Sequence, residues 1–265
     1  MTDTHSDLTQ LDQAHAAMEG DPTNDVARLK FYEQLADTEL FLLLAGDPEG
    51  DTIQPELFDI EDQKFALVFD REDRLASFVG RPVPYAELPC RGLLQMLEGQ
   101  AIGLALNLEV APSAMLIPTE AVNWLVETLR HAPEETEAKL QDLNAPKAMP
   151  DAVLDGLARK LSAAAGLAST AFLAAATYEG GAKGHVLAFL GAVEGAEKLL
   201  ANTAGEALTF SGIDAGILDV LFAKTGDPIV ARLNEVGLRF DLPEPSTPEG
   251  PAAPGMDPEK PPKLR

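Results

Sequence analysis

The chain has 265 residues, of which 46% are apolar, and its 43 acidic residues outnumber the 20 basic ones to give a net charge of −23. This length allows about two domains with packed cores. The negative charge repels phosphate backbones and anionic lipids, so we predict neither a nucleic acid nor a membrane as a partner. Of the first 50 residues, 11 are acidic and two are basic. A basic partner could dock on this end, although solvation of exposed helices is the simpler interpretation.

Cys90 is the only cysteine, which excludes an internal disulfide and a cysteine-based zinc site within one chain. The first residues are acidic and polar, whereas a secretory signal needs positive charge followed by an apolar core. The longest weakly polar stretch, residues 161–176, is too short to span a membrane. We therefore expect a cytoplasmic protein.

The first half of the chain predicts helices and strands in mixed order. Leu8, Leu11, His15 and Met18 follow helical spacing and predict an acidic N-terminal helix within residues 1–22. An α/β domain is predicted over residues 23–131. Its expected elements are a helix capped by Asn24, a strand at 41–44, a hairpin of 57–61 with 65–69, a helix at 72–79, a helix beginning at Pro89, strands at 103–108 and 115–117, and a helix from Thr119.

Residues 132–149 lack sustained apolar periodicity and predict an exposed linker. A second domain is predicted over residues 150–242, with a helix, a hairpin around the glycine-rich loop 179–184, a helix at 194–207, a strand at 217–223 and a helix after Asp227. Eight prolines in residues 243–265 predict a disordered tail. The fold class is therefore mixed α/β (α+β), with two consecutive sheet-and-helix domains.

Three segments carry a family resemblance: residues 65–78, 103–107 and 117–125. They resemble the N-terminal domain of the SseB (enhanced serine sensitivity) family, and the second half is similar to the C-terminal domain of that family. The resemblance spans residues 25–242. It implies a cytoplasmic bacterial protein linked to serine tolerance, with no settled enzymatic activity and no catalytic residues to carry over. The family often continues its asparagine with proline and glycine, whereas Leu108 and Glu109 follow Asn107 here.

Cys90 is the one candidate nucleophile, because a helix start at Pro89 and the neighbouring Arg91 would both favour a thiolate. The favoured interpretation is an incidental small residue at a helix start. The chain carries no phosphate-binding glycine loop, no Gly-x-Ser-x-Gly elbow and no pair of histidines at helical spacing. We therefore predict no cofactor.

Six acids lie between residues 59 and 73, and Asp70 and Asp73 are the candidate ligands for a divalent cation there. Pairing of these acids with Arg71 and Arg74 is the favoured alternative. Asp70 and Asn107 each end an apolar run, and together they form a possible functional turn.

These observations predict a non-catalytic module that contacts another protein or a small metabolite. Two alternatives stay open: a sensor of a small ligand such as an amino acid, and an enzyme whose site lies in a cleft between the domains.

Overall fold

The structure, a computed structural model, describes residues 8–48, 50, 52–130, 140–147, 149–212 and 218–244. Within these residues there are eight helices and eleven strands, and the strands form two mixed sheets. This confirms the predicted mixed α/β class. Among the described helices, none combines the length and the apolarity needed to cross a bilayer. The predicted disordered tail lies outside the described residues, apart from Pro243 and Glu244.

The first half contains α1 (Gln10–Gly20), α2 (Asp25–Ala36), β1 (Glu39–Leu43), β2 (Leu57–Ile60), β3 (Gln63–Phe69), α3 (Glu72–Val79), β4 (Tyr85–Pro89), α4 (Cys90–Leu97), β5 (Ile102–Leu106), β6 (Met115–Ile117) and α5 (Thr119–Arg130). The second half contains β7 (Leu140–Asn144), α6 (Asp151–Ala163), β8 (Thr170–Tyr178), β9 (Lys183–Leu190), α7 (Glu197–Phe210), β10 (Leu218–Ala223), α8 (Pro228–Val236) and β11 (Leu238–Asp241).

The first sheet has the strand order β4-β1-β3-β5-β6, and β2 shares one edge of β3 with β1. Strands β3 and β5 run parallel, and the other pairs are antiparallel. Residues 65–69 of β3 and all of β5 are apolar and buried, as expected for parallel strands covered on two faces. Helices α1, α2, α4 and α5 pack on one face of this sheet.

The opposite face of the first sheet, which we call the open face, is covered in part by the short helix α3 through Leu75. The strand register places three exposed apolar side chains on this face, namely Phe58, Tyr85 and Leu116, with exposed fractions of 45%, 39% and 39%. They lie opposite Phe65, Leu43 and Ala105 respectively, which all belong to the core beneath α3. The open face therefore presents more apolar surface than the helix-covered face.

The second sheet has the strand order β10-β9-β8-β11, and β7 shares one edge of β8 with β11. Helices α6 and α7 pack on one face through Leu157 and Leu200, and α8 packs on the other face through Leu233. Strands β8 and β9 form the predicted hairpin, whose turn contains Gly180 and Gly181 at positive φ. Glycine is the residue that adopts this backbone conformation without strain.

Three strands were not predicted from the sequence. Pro89 ends β4 in an extended conformation, and Cys90 is the first residue of α4, so the prediction of Pro89 as the first helical residue was wrong. Part of the predicted linker, Leu140–Asn144, forms β7, and Leu238–Asp241 forms β11. All three strands have only four or five residues and lie at sheet edges, so the apolar pattern of each is too short to predict a strand.

We expect Gly103→Ala to lower the free energy of unfolding by about 1–3 kcal/mol through overpacking. A Cβ atom at Gly103 would lie 2.5 Å from the Ile117 carbonyl oxygen and 2.7 Å from the Phe65 ring, and the carbonyl belongs to the backbone of β6. The matched control is Gly92→Ala in α4, where a Cβ atom meets no heavy atom within 4 Å and alanine favours the helix. Urea unfolding followed by circular dichroism measures both variants. Equal stability of Gly103→Ala and the wild type would contradict the described packing of β5 on β6.

Candidate functional site

The structure brings Asp70 and Asn107 together at one edge of the first sheet. Asp70 follows β3 and Asn107 follows β5, and the parallel pairing of these strands places their carboxyl ends side by side. The Asp70 backbone N–H donates a hydrogen bond of 3.1 Å to Asn107 Oδ1. Asn107 is fully buried, and its φ of 48° lies in the left-handed region that asparagine tolerates better than most residues. Its function in this turn stays a prediction.

Arg74 holds Asp70 to a third element, helix α1. Arg74 Nη1 lies 2.7 Å from Asp70 Oδ1, and Arg74 Nη2 lies 2.5 Å from Asp12 Oδ2. Ser113 Oγ donates to Asp12 Oδ1 at 2.5 Å and accepts a hydrogen bond of 2.9 Å from Asn107 Nδ2. The side chains of Asp12, Asp70 and Arg74 are 0%, 2% and 9% exposed. One buried guanidinium therefore joins two buried carboxylates.

Thr9 completes this network at the start of α1. Its Oγ1 accepts from the Asp12 N–H at 3.1 Å, and its own N–H donates to Asp12 Oδ2 at 2.9 Å. The same hydroxyl donates to Asp70 Oδ2 at 2.7 Å. This is a capping box, and its Thr-x-x-Asp pattern is visible in the sequence. The sequence had suggested Arg74 as a partner for the acids around Asp70, but Asp12 and Ser113 were missed as members of this network. The Thr-x-x-Asp pattern was a usable signal for Asp12.

The hydrogen bonds control the ionisation of Asp12. Burial by itself would raise the pKa of this carboxyl, but the hydrogen bonds from Arg74, Ser113 and Thr9 outweigh burial and lower the pKa from 3.8 to about 2. Asp12 is therefore a stable carboxylate at neutral pH, which suits it to binding Arg74. It is poorly suited to proton transfer, since a general acid or base needs a pKa near the working pH.

Asp70 and Asp73, the two candidate cation ligands, have different neighbours. Asp70 faces Arg74 and Thr9, whereas Asp73 lies on α3 with its side chain 64% exposed and pairs with Arg71 at 2.8 Å. The structure does not bring their carboxylates into one site. Within the described residues, no group of three or more potential ligands is placed to hold a metal ion.

Cys90 is completely buried at the start of α4 and belongs to the first core. Burial raises the pKa of its thiol to about 12, and the nearby Arg91 only partly offsets this effect. The thiolate hypothesis requires a lowered pKa and an accessible sulfur. The surroundings of Cys90 instead favour a small apolar packing role.

A second cluster of charges lies where the two halves meet. Its six members are Glu33, Asp37, Arg91, Arg159, Lys160 and Glu206. The first half supplies two acids and one base, and the second half supplies two bases and one acid. We call this cluster the boundary network. Its charges balance only when both halves contribute.

The contacts of the boundary network cross between the halves. Arg91 of α4 binds both carboxylate oxygens of Glu206 of α7 at 2.8 Å. Lys160 Nζ of α6 lies 2.6 Å from Asp37 and 3.6 Å from Glu33 of the first half, and 3.2 Å from Glu206. Arg159 also pairs with Glu33. These side chains contact each other directly between the two halves, which is where an active-site cleft was considered as an alternative.

Burial affects the three acids of this network differently. Burial raises the pKa of Glu33, because it outweighs the attraction of Lys160 and Arg159. At Asp37 and Glu206, the hydrogen bonds from Arg91 and Lys160 outweigh burial and lower the pKa. Glu33 is thus the least stabilised carboxylate of the network, and its Oε1 accepts no hydrogen bond from the described residues.

Aromatic packing follows the same boundary. Phe210, the last residue of α7, is 1% exposed and belongs to the core of the first half. Its ring centroid lies 6.3 Å from that of Trp124, which lies 5.5 Å from that of Tyr32. Lys160 Nζ lies 5.9 Å from the centroid of the Phe210 ring. A helix of the second half therefore completes the core of the first.

Residues 11–124 match the family of the SseB protein N-terminal domain. The segment of residues 11–124 therefore belongs to the SseB N-terminal domain family. The matched segment contains every member of the network at the ends of β3 and β5 except Thr9, namely Asp12, Asp70, Arg74, Asn107 and Ser113. No curated protein and no solved structure matched the chain. Similarity of the second half to the C-terminal SseB domain stays a prediction.

We expect Arg74→Met to destabilise the SseB domain by about 3–5 kcal/mol, because it leaves Asp12 and Asp70 buried without their counter-charge. Arg28→Met is the control. It removes the same charge from an exposed pair with Asp25, and it should cost less than about 0.5 kcal/mol. Urea unfolding measures both, and similar small losses would show that the Arg74 pairs contribute little.

The lowered pKa of Asp12 also predicts a dependence on pH. Since the folded pKa is about 2 and the ordinary value is 3.8, the unfolded chain binds this proton first as the pH falls. The stabilisation by ionised Asp12 is therefore complete above about pH 4 and is lost toward pH 2. We expect the stability difference between the wild type and Asp12→Asn to shrink across this range. A difference that does not change with pH would contradict the assignment.

We expect native Cys90 to resist maleimide up to about pH 9 and to react once urea unfolds the chain, because its thiol is buried with a pKa of about 12. Mass spectrometry of the intact protein counts the label. Half-maximal reactivity of the folded protein near the ordinary thiol value of about 8.5 would contradict this placement.

Proposed function

We propose that this SseB-family chain is a cytoplasmic, non-catalytic interaction or regulatory module connected with serine sensitivity. The open face supports this proposal. Phe58, Tyr85 and Leu116 expose large apolar side chains on one sheet face, whereas four helices cover the other face. Apolar surface left exposed on one face of a sheet is typical of a protein contact site.

The internal polar residues support the same proposal. The carboxylates of Asp12 and Asp70 are engaged by Arg74, and those of the boundary network are engaged by Arg91, Arg159 and Lys160. Catalytic acids and bases usually face a substrate cavity with a pKa tuned toward neutrality. The buried ion pairs of this chain instead join helices to strands and one half to the other.

Affinity purification of the tagged chain from its native cell, with quantitative mass spectrometry, tests the proposal. We expect a reproducible stoichiometric partner, which is lost when the open face is made polar by Phe58→Ser with Leu116→Ser. The control is Val193→Ser with Leu199→Ser, which changes two residues of the second half that are 53% and 54% exposed. Absence of a stoichiometric partner, or equal loss in both double variants, would contradict an interaction through the open face.

A small-ligand sensor is the second candidate, and a groove between α1 and α2 favours it. The groove has a volume of about 390 Å³, which is enough for an amino acid. Its polar lining residues are Gln13, Asn24, Lys30, Glu33, Gln34 and Arg159. Because Glu33 and Arg159 pair with each other, Lys30 is the charged group of this groove that suits the carboxylate of an amino acid.

Thermal unfolding with each amino acid in turn, serine included, tests this second candidate, since a ligand that binds only the folded state raises the melting temperature. We expect Lys30→Met to remove any rise, because Lys30 lines the groove. Lys198→Met, at an exposed position of α7, is the control. Unchanged melting temperatures with all amino acids would exclude an amino-acid sensor.

A further inference from the structure

Strand β4 forms one end of the first sheet within the described residues, and it pairs with β1 alone. The side chains of these two strands alternate between the faces of the sheet. On the open face, Phe41 lies opposite Glu87, and Leu43 lies opposite Tyr85. Glu39 is two residues from Phe41 and therefore lies on the same face, diagonal to Glu87.

The backbone of β4 also presents hydrogen-bonding groups at this edge. The Leu44 N–H donates to the Pro84 carbonyl at 3.1 Å, and the Cys90 N–H donates to the Thr38 carbonyl at 2.9 Å. In an antiparallel pair the bonded positions alternate, so residues 84, 86, 88 and 90 face β1. The N–H and C=O groups of Tyr85 and Glu87 consequently point away from the sheet.

The side chains at this edge combine aromatic rings with unpaired carboxylates. Tyr85 and Phe41 place their ring centroids 5.8 Å apart, and the Tyr85 hydroxyl donates to Glu72 Oε1 at 2.8 Å. Glu39 and Glu87 are exposed and form no ion pair with the described residues. A cation beside these groups would contact two carboxylates and an exposed aromatic ring.

We propose that β4 and the adjoining open face dock an extended, basic segment of a partner protein. The segment adds an antiparallel strand beyond β4, and its backbone pairs with the outward groups of Tyr85 and Glu87. Residues of the segment directly opposite these two lie on the open face, where lysine or arginine meets Glu87, Glu39 and the Tyr85 ring. This inference rests on the proposed interaction function and identifies the chemistry of the partner.

Charge favours this occupant over others. The chain carries a net charge of −23, which attracts a basic segment and repels a second copy of the same chain. Pro84 faces β1, whereas Pro89 occupies the next outward position after Glu87 and has no N–H to donate, which limits the added strand to a short pairing. The competing explanation is that the prolines and Glu87 only protect a sheet edge from aggregation.

The test uses a blocked eight-residue peptide that alternates lysine with valine, titrated into the full-length, nitrogen-15-labelled protein. We expect the backbone amide signals of Tyr85 and Glu87 to shift. A peptide with glutamate in place of lysine should not bind. A lysine–valine peptide methylated on the lysine backbone nitrogens should also not bind, because it cannot donate hydrogen bonds to the β4 carbonyl groups.

Matched charge reversals separate the site from general attraction to an acidic protein. Glu39→Lys with Glu87→Lys should weaken lysine–valine binding by about tenfold or more, since two favourable pairs become repulsive. Glu19→Lys with Glu194→Lys makes the same change in net charge at exposed positions elsewhere, and the dissociation constant should stay within about twofold of the wild type.

Several results would overturn the inference. Equal weakening by both double variants would show general charge attraction, and binding of the methylated peptide would exclude strand addition. Absence of binding, with self-association of the Glu39→Lys, Glu87→Lys variant, would show that these residues only protect the edge. If the peptide fails while a cellular partner still depends on Phe58 and Leu116, the interaction function stands and only this inference falls.

Discussion

The architecture depends on a charge balance that neither half of the chain achieves alone. Lys160 of the second half is 7% exposed at its side chain and has acids of both halves as its neighbours. A different placement of the halves that kept Lys160 buried would leave it without these partners. Because a buried charge without its partner is costly, the boundary network favours one relative placement of the two sheets. Phe210 adds apolar packing at the same place.

Ion pairing also explains why the acids inside the protein offer so few candidates for chemistry. Buried acids such as Asp12 and Glu206 have arginine or lysine partners, which fixes their ionisation and their orientation. The exposed acids at the β4 edge differ, because Glu39 and Glu87 form no ion pair with the described residues and lie beside the exposed ring of Tyr85. The function that we propose therefore lies on the surface of the first sheet, and the buried charges maintain the fold.

The sequence predicted the elements with strong local signals. Helix α3 has its predicted bounds and ends at Gly80 in a left-handed conformation, and the hairpin of β2 and β3 also forms as expected. The contact between Asp70 and Asn107 could be predicted from the sequence, because both residues directly follow apolar strands. The contacts between the two halves of the chain could not be predicted. Arg91 and Glu206 are 115 positions apart, and nothing in the spacing of either residue indicates the other.

Trp124 is the only tryptophan of the chain and lies where the two halves meet. Its fluorescence therefore reports on the contact between the halves. Urea unfolding followed in parallel by tryptophan fluorescence and by far-ultraviolet circular dichroism tests whether the halves form one body. The packing of Phe210 in the first core predicts coincident transitions, because separating the halves would expose this core around Trp124. A fluorescence transition at clearly lower urea than the loss of secondary structure would contradict this account, since the halves would then separate while each stays folded.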